Sequence, residues 1–329
     1  MDDKKFLTYN QQMRHLRDDK KILCRGSSDK TILCRTGYFN LINGYKDPFV
    51  AGIDAHGNHT YYNGTSIQDI NAVKSFDDEL RSHLLKFITS VEEEVRSFAA
   101  YKFDDVNGQD RRGSKSLHWL DMGAYDPKVA PEGKIRLISS IYNNLKASEQ
   151  DYVKHYWGEH GYMPTWIVCK VMSFSNFIDF VNYSHPDVKK SLCALYGMTK
   201  EEGRANFKLL IGGLHWARKV RNACAHNERI YALKQEEKRI ACKVLSCLPS
   251  SYSSERDQKI FDLIVYMRYC LPDLEYGEFI DKIIELLRSL QRRISPMPYE
   301  KVRASIGIKR ESDLDLLKSF SKDINYNKF

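Results

Sequence analysis

An all-α fold is what this sequence predicts: one main helical bundle with helical extensions before and after it. Three observations carry that expectation. Between Phe76 and Phe103 the apolar residues Phe76, Leu80, Leu84, Phe87, Ile88, Val91, Val95 and Phe98 recur with a helical period. Further apolar stretches with the same beat fill the second half of the chain. The apolar–polar alternation that marks half-buried strands is missing almost everywhere.

Taken in order, "TYNQQMRHLRDDKKILC" places Met13, Leu16, Ile22 and Leu23 on a short amphipathic helix starting after Thr8, whose hydroxyl suits an N-cap. "KILCRGSSDK" and "TILCRTGYFN" echo each other, but far below the period of a repeat array. Tyr38, Phe39, Leu41, Ile42 and Tyr45 form an apolar face broken by Gly44 and stopped by Pro48. "AGIDAHGNHTYYNGTS" reads as loop with room for a short hairpin. The long helix from Phe76 takes Ser75 as its expected N-cap, and Asp77, Asp78 and Glu79 meet the positive end of its dipole. Glu92 and Arg96 stand four apart, a spacing that permits a same-face pair. "DDVNGQDRRGSKS" is polar and glycine-bearing, hence a loop. A second strong helix is expected from about Pro164 through "TWIVCKVMSFSNFIDFVNYS", a shorter one in "SHPDVKKSLCALYGMT" and a long one ending in "GLHWARKVRNACAHN". "SERDQKIFDLIVYMRYCL" and "EYGEFIDKIIELLRSLQRRI" form a last pair, and the tail after Pro296 stays unassigned.

The chain has 329 residues, 42% of them hydrophobic and 29% charged, which suits a water-soluble protein with a real core. Its formal net charge of +8 pushes weakly toward a phosphate-rich partner. No secretory signal is visible at "MDDKKFLTYNQQ", and no apolar run approaches the roughly 20 residues of a membrane span, so a cytoplasmic location without a membrane partner is expected. The 8 cysteines form no CxxC pair and sit mostly among apolar neighbours, as reduced buried thiols would. His56 and His59 are spaced like metal ligands, but no third ligand is evident and neither a metal nor a cofactor is expected.

The stretch that asks for chemistry is "RKVRNACAHNERI", residues 218–230, where Arg218, Lys219, Arg221, Asn222, His226, Asn227 and Arg229 crowd the end of an apolar helix. At about 100° per residue, Asn222 and His226 share a face about 40° apart, and Arg221 lies about 140° from His226, within reach for a long side chain. Arginine offers phosphate a planar, permanently charged fork, and histidine exchanges a proton near neutral pH. Together they suit RNA cleavage by the RNA's own 2′-hydroxyl: the imidazole takes the 2′ proton and the guanidinium stabilises the crowded phosphate. The spacing alone also fits a solvated helix end, its cations complementing the last carbonyls and His226 satisfying a buried hydrogen bond. Arg111 and Arg112 in the "QDRRGSKS" loop are further candidates for an RNA backbone, as are Arg218, Lys219, Asn227 and Arg229 around the motif. The "SLQRRI" and "GIKRES" runs read as solvated faces. The 20 tyrosines offer stacking surfaces for bases, although Tyr38 and Tyr45, at helical spacing, read as core.

"RNACAHNERI" resembles the RxxxxH motif of HEPN-domain ribonucleases, and the chain more narrowly resembles the Abi family of abortive-infection, phage-resistance proteins. Three sets of blocks carry the likeness over roughly residues 7–235: "LTYNQQMRHLRD" with "TGYFNLINGYKDPF"; "FDDELRSHLLKFITSVEEEVRSFAAY", whose core is Val91, Glu92, Val95 and Arg96; and "MPTWIVCKVMSFSNF" followed by "LHWARKVRNACAHNERI". The sequence departs from the family pattern at three places: Asn227 replaces a second histidine, Lys170 a glutamate and Ser175 a glycine. Asn227 can hydrogen-bond a phosphate or a base but cannot carry a proton.

The resemblance implies an N-terminal helical and loop segment at 1–75, a HEPN-like helical core with the RxxxxH motif at 76–240 and a C-terminal helical extension at 241–329. It implies a metal-independent endoribonuclease with Arg221, Asn222 and His226 as catalytic residues, acting on cellular, phage or cognate small RNA. Such enzymes pair two motifs face to face; this chain holds one, so a homodimer is expected, and the small residues Gly212, Gly213 and Ala217 suit either that contact or core packing. The alternative is a non-catalytic RNA-binding protein or a regulatory component of a toxin–antitoxin-like defence system.

Overall fold

The computed structural model describes residues 6–108, 118–200, 202–236, 243–246, 248–249, 252, 257–320 and 324–328. Its helices are α1 (Tyr9–Arg14), α2 (Gly26–Thr36), α3 (Ile67–Val106), α4 (Pro131–Lys146), α5 (Asp151–His155), α6 (Thr165–Val171), α7 (Phe174–Tyr183), α8 (Pro186–Leu195), α9 (Phe207–Ala225), α10 (Lys243–Ser246), α11 (Ile260–Cys270), α12 (Asp273–Gln291), α13 (Pro296–Ile306) and α14 (Ser312–Ser319). The fold is all-α apart from a hairpin of β1 (Val50–Ile53) and β2 (His59–Tyr61), which pair antiparallel where the sequence left room for one. Among the described residues no helix is long and apolar enough to cross a membrane.

The axis of the molecule is α3, 40 residues long, so about 60 Å from end to end. It starts nine residues earlier than Ser75 suggests. The cap is Ser66: its Oγ accepts from the Asp69 N–H at 3.1 Å, and Asp69 accepts from the Ser66 N–H at 2.8 Å, a reciprocal box that satisfies two free donors. Ser75 lies inside the helix, its hydroxyl donating to the Asn71 carbonyl at 2.9 Å. The helical beat continues upstream through buried Ile67, Ile70 and Val73, so α3 passes residues 75 and 76 without a break. Thr8 caps α1 as expected, in a box with Gln11. Leu41, Ile42 and Tyr45 are buried, whereas Phe39 is 73% exposed, so that apolar face is narrower than it reads.

The single helix expected from Pro164 is two. Extended backbone at Met172 (ψ 142°) ends α6, and Ser173 starts α7 by accepting from the Asn176 N–H at 3.2 Å. Helix α4 has no counterpart in the expectations above. Proline opens it at Pro131, and Leu137, Ile141 and Leu145, four apart, form its buried stripe.

Helices α6, α8, α9 and α12 pack along α3, and α7 packs on α9. The C-terminal helices join the same core: the His83 ring of α3 stacks on Phe279 of α12 at 5.2 Å. Burial holds the His83 imidazole below its ordinary pKa. Gly213 serves core packing, since a Cβ there would lie 1.9 Å from the Tyr266 ring of α11. The close approach is made within the chain.

Candidate functional site: a basic cleft beside the end of α9

Two acid–arginine pairs on α3 frame the site. At the first, Asp77 is completely buried and accepts from Arg81 at 2.9 Å, the Tyr45 hydroxyl at 2.9 Å, the Ile230 N–H at 3.2 Å and the Tyr231 N–H at 2.8 Å. Arg81 also donates to the Glu228 carbonyl at 3.0 Å and to Asp78. This node clamps the chain just beyond the motif, residues 228–231, to α3. Burial pushes the Tyr45 and Tyr231 hydroxyls well above the phenol range, so both stay protonated.

At the second pair Glu92 accepts from Arg96 at 2.7 Å, and Arg221 Nε of α9 stands 3.6 Å from its other oxygen. Arg96 also donates to the Cys169 carbonyl and lies over the Phe177 ring at 4.8 Å, so its position is fixed from three sides. Arg221 is held more loosely. Its remaining contact is a 3.2 Å hydrogen bond to Asn222 Oδ1, and its side chain is 38% exposed.

These groups open into a cleft of about 320 Å³. Four cationic side chains line it, Arg96, Lys170, Arg218 and Arg221, against the single carboxylate of Glu92. Asn222, Met172 and the start of α7, Ser173 to Ser175, complete the wall. The free N–H groups at a helix N-terminus add partial positive charge, so the cleft as a whole favours an anion despite Glu92. Arg218 Nε is buried without a hydrogen-bond partner, a donor in want of an acceptor. Lys170 and Ser175, two of the three departures from the family pattern, both line this cleft.

The far end of the motif is built differently. His226 is the C-cap of α9, exposed, its backbone N–H donating to the Asn222 carbonyl at 3.0 Å; it is not among the residues lining the cleft. Asn227 takes the left-handed region, φ 55°. Its N–H donates to the Cys224 carbonyl at 3.2 Å and the Glu228 N–H to the Ala223 carbonyl at 2.9 Å, the bond pair of a Schellman stop. Asparagine tolerates that conformation, which gives Asn227 a backbone role that proton chemistry does not describe. An exposed imidazole rules out the reading of His226 as a buried hydrogen-bonding histidine. Cys224, inside the motif, is buried, and its thiol is pushed up to about 12, so it stays protonated and inert. Cys24, Cys169, Cys193 and Cys270 are buried too, whereas Cys34 is exposed; Cys242 and Cys247 lie outside the described residues.

The remaining candidates scatter. Arg229 donates to Asp47 at 2.8 Å and to the Gly44 carbonyl at 2.7 Å, tying the motif to the Tyr-rich block. Lys219 donates to the Lys234 carbonyl at 3.2 Å and lies over Trp216 at 5.5 Å. Arg111 and Arg112 lie outside the described residues. His56 and His59 sit on the hairpin, and among the described residues no group of three or more His, Cys, Asp or Glu gathers as a metal would require. Sequence reasoning left out Glu92, Arg96 and Lys170 as site residues, although the four-residue spacing of the first two was the available signal.

Neither the curated proteins nor the solved structures yield a significant match. The sequence model of the family described as Abi-like protein matches residues 31–232, a span that holds the N-terminal hairpin, both α3 pairs, the cleft and the whole of α9. That stretch is well over half of the chain, and the chain therefore belongs to the Abi-like protein family.

Proposed function

We propose that this protein is a metal-independent endoribonuclease of a prokaryotic abortive-infection system, a HEPN-type enzyme that works as a homodimer. The observation that carries the reading is the cleft itself, where Arg96, Lys170, Arg218 and Arg221 line one open space beside the RxxxxH motif. A phosphate in it would give the buried Arg218 Nε the acceptor it lacks and draw Arg221 away from Glu92.

The chemistry follows from the residue types. The His226 imidazole takes the proton of the ribose 2′-hydroxyl, and the 2′-oxygen attacks the adjacent phosphorus. The arginines stabilise the added negative charge, and the 5′-oxygen leaves with a proton from the His226 of a second copy. The products are a 2′,3′-cyclic phosphate and a free 5′-hydroxyl. A second copy also accounts for the place of His226, exposed at the tip of α9 and ready to be covered by a symmetric contact.

The test is incubation of the full chain with end-labelled single-stranded RNA in EDTA, beside His226→Ala. Cleavage with cyclic-phosphate ends that the variant lacks is expected; cleavage abolished by EDTA and restored by magnesium would overturn the mechanism. The pairing of Glu92 with Arg221 favours one second reading, a non-catalytic RNA-binding protein whose cleft is partly neutralised. Tight binding with no cleavage by a dimer of the protein is the outcome that selects it.

A further inference from the structure

Beside the cleft the surface changes character. Trp157 and Trp166 are 44% and 51% exposed and Tyr142 is 42% exposed, whereas Trp119 and Trp216 are 1% and 2% exposed. These rings fall into two groups. Tyr142 meets Trp157 at 6.0 Å and the half-buried Tyr156 meets Trp166 at 5.2 Å, both edge to face, while His160 lies tilted against Tyr156 at 5.0 Å. Contacts of this geometry fix ring orientation without pairing the rings face to face.

The second group runs into the cleft. Lys170 lies one helical turn beyond Trp166 on α6, so the two share a face. The Lys170 ammonium stands 5.1 Å from the Tyr152 ring of α5, the helix that leads into Tyr156, and Lys170 is itself a cleft residue. An aromatic surface and the basic cleft therefore meet at one lysine. Neither the motif nor any family block assigns the aromatic rings a role.

We infer that the Tyr156–His160–Trp166 surface is a stacking platform for the unpaired bases of a single-stranded RNA whose backbone lies in the cleft. The inference rests on the nucleic-acid reading above and narrows it, because only an unpaired strand offers base faces to stack while its phosphates meet cations a residue away. Duplex RNA hides those faces, and its backbone alone would reach Lys170. The platform also predicts tolerance of base identity, since every base has a π-face.

The test is a fluorescence and anisotropy titration of the full chain with a labelled uridine-rich 12-mer, an abasic strand of the same length and a duplex. Tryptophan emission should be quenched by the 12-mer and not by the abasic strand, since Trp119 and Trp216 are buried away from it. Trp166→Ala should weaken 12-mer binding roughly tenfold and leave abasic binding unchanged, with Trp166→Phe in between. Trp157→Ala repeats the measurement at the neighbouring group, and a melting curve checks each fold. If the 12-mer binds Trp166→Ala as tightly as the native chain while Arg218→Ala weakens it, the platform is wrong and the cleft reading stands. If the native chain binds no strand, both fall. If Trp166→Ala changes the mass in light scattering but not the affinity, the rings belong to a contact between copies, and the platform is overturned.

Discussion

Asp77–Arg81 and Glu92–Arg96 share one helix and one four-residue spacing, and lie about 22 Å apart along it. Around the first pair every partner is protein: a tyrosine hydroxyl, two backbone N–H groups and a carbonyl, all from segments that must stay together. Around the second the partners run out. Glu92 is shared between Arg96 and a loosely held Arg221, Arg218 keeps an unmatched donor, and the space between them is open. Because α9 and the turn after it run antiparallel to α3, the two pairs serve the two ends of one motif. Arg221 meets Glu92, and residues 228–231 meet Asp77. Spacing makes a pair; what surrounds it decides whether the pair is scaffold or site.

The largest effect should come from breaking the scaffold pair. Asp77→Ala leaves Arg81 buried without its carboxylate and should lower stability by about 3–5 kcal/mol in urea unfolding. A loss below about 1 kcal/mol would remove the contrast between the two pairs. Next, Arg221→Ala should reduce RNA cleavage about 100-fold or more while shifting stability by no more than about 1 kcal/mol, because its contacts are long and partly solvated. Unfolding of that variant would put Arg221 on the scaffold side.

Smaller effects probe the open pair. Lys170→Glu, which restores the carboxylate of the family pattern, should weaken RNA binding and flatten its salt dependence by about one unit of slope. An unchanged slope would place the RNA backbone elsewhere. Smallest, Glu92→Gln removes the one anion of the cleft, and RNA affinity at low salt should rise a few-fold. Weaker binding would mean that Glu92 acts by aiming Arg221 and that its charge is secondary.

Much of the bundle was legible because apolar periodicity is a local signal. Thr8 as a cap, α8, the α11–α12 pair and the position of the motif on the last turns of α9 all followed from neighbours a few residues apart. Ser75 misled because acidic residues follow it, as one follows Ser66, and only the burial of Ile67, Ile70 and Val73 carries the helix back to the true cap. The stop at Met172 was hidden by side chains that suit a continuous helix; the break lies in backbone angles. At the site, Arg221 and Asn222 were visible as a motif, but their surroundings were not. Glu92 is 129 positions from Arg221, and no spacing rule links them. The same blindness made Arg229 look available, when Asp47 and Gly44, far earlier in the chain, already hold it.

The left-handed turn at Asn227 has a consequence for how the length of this chain can vary. It fixes His226 as the C-cap of α9, while Arg221 faces Glu92 one and a half turns earlier. A single residue inserted between them would swing the imidazole by about 100° around the helix, whatever its chemistry. Insertions and deletions among relatives should therefore avoid the interval from Arg221 to Asn227 and collect in the connections between helices, where an added residue turns nothing that the cleft depends on.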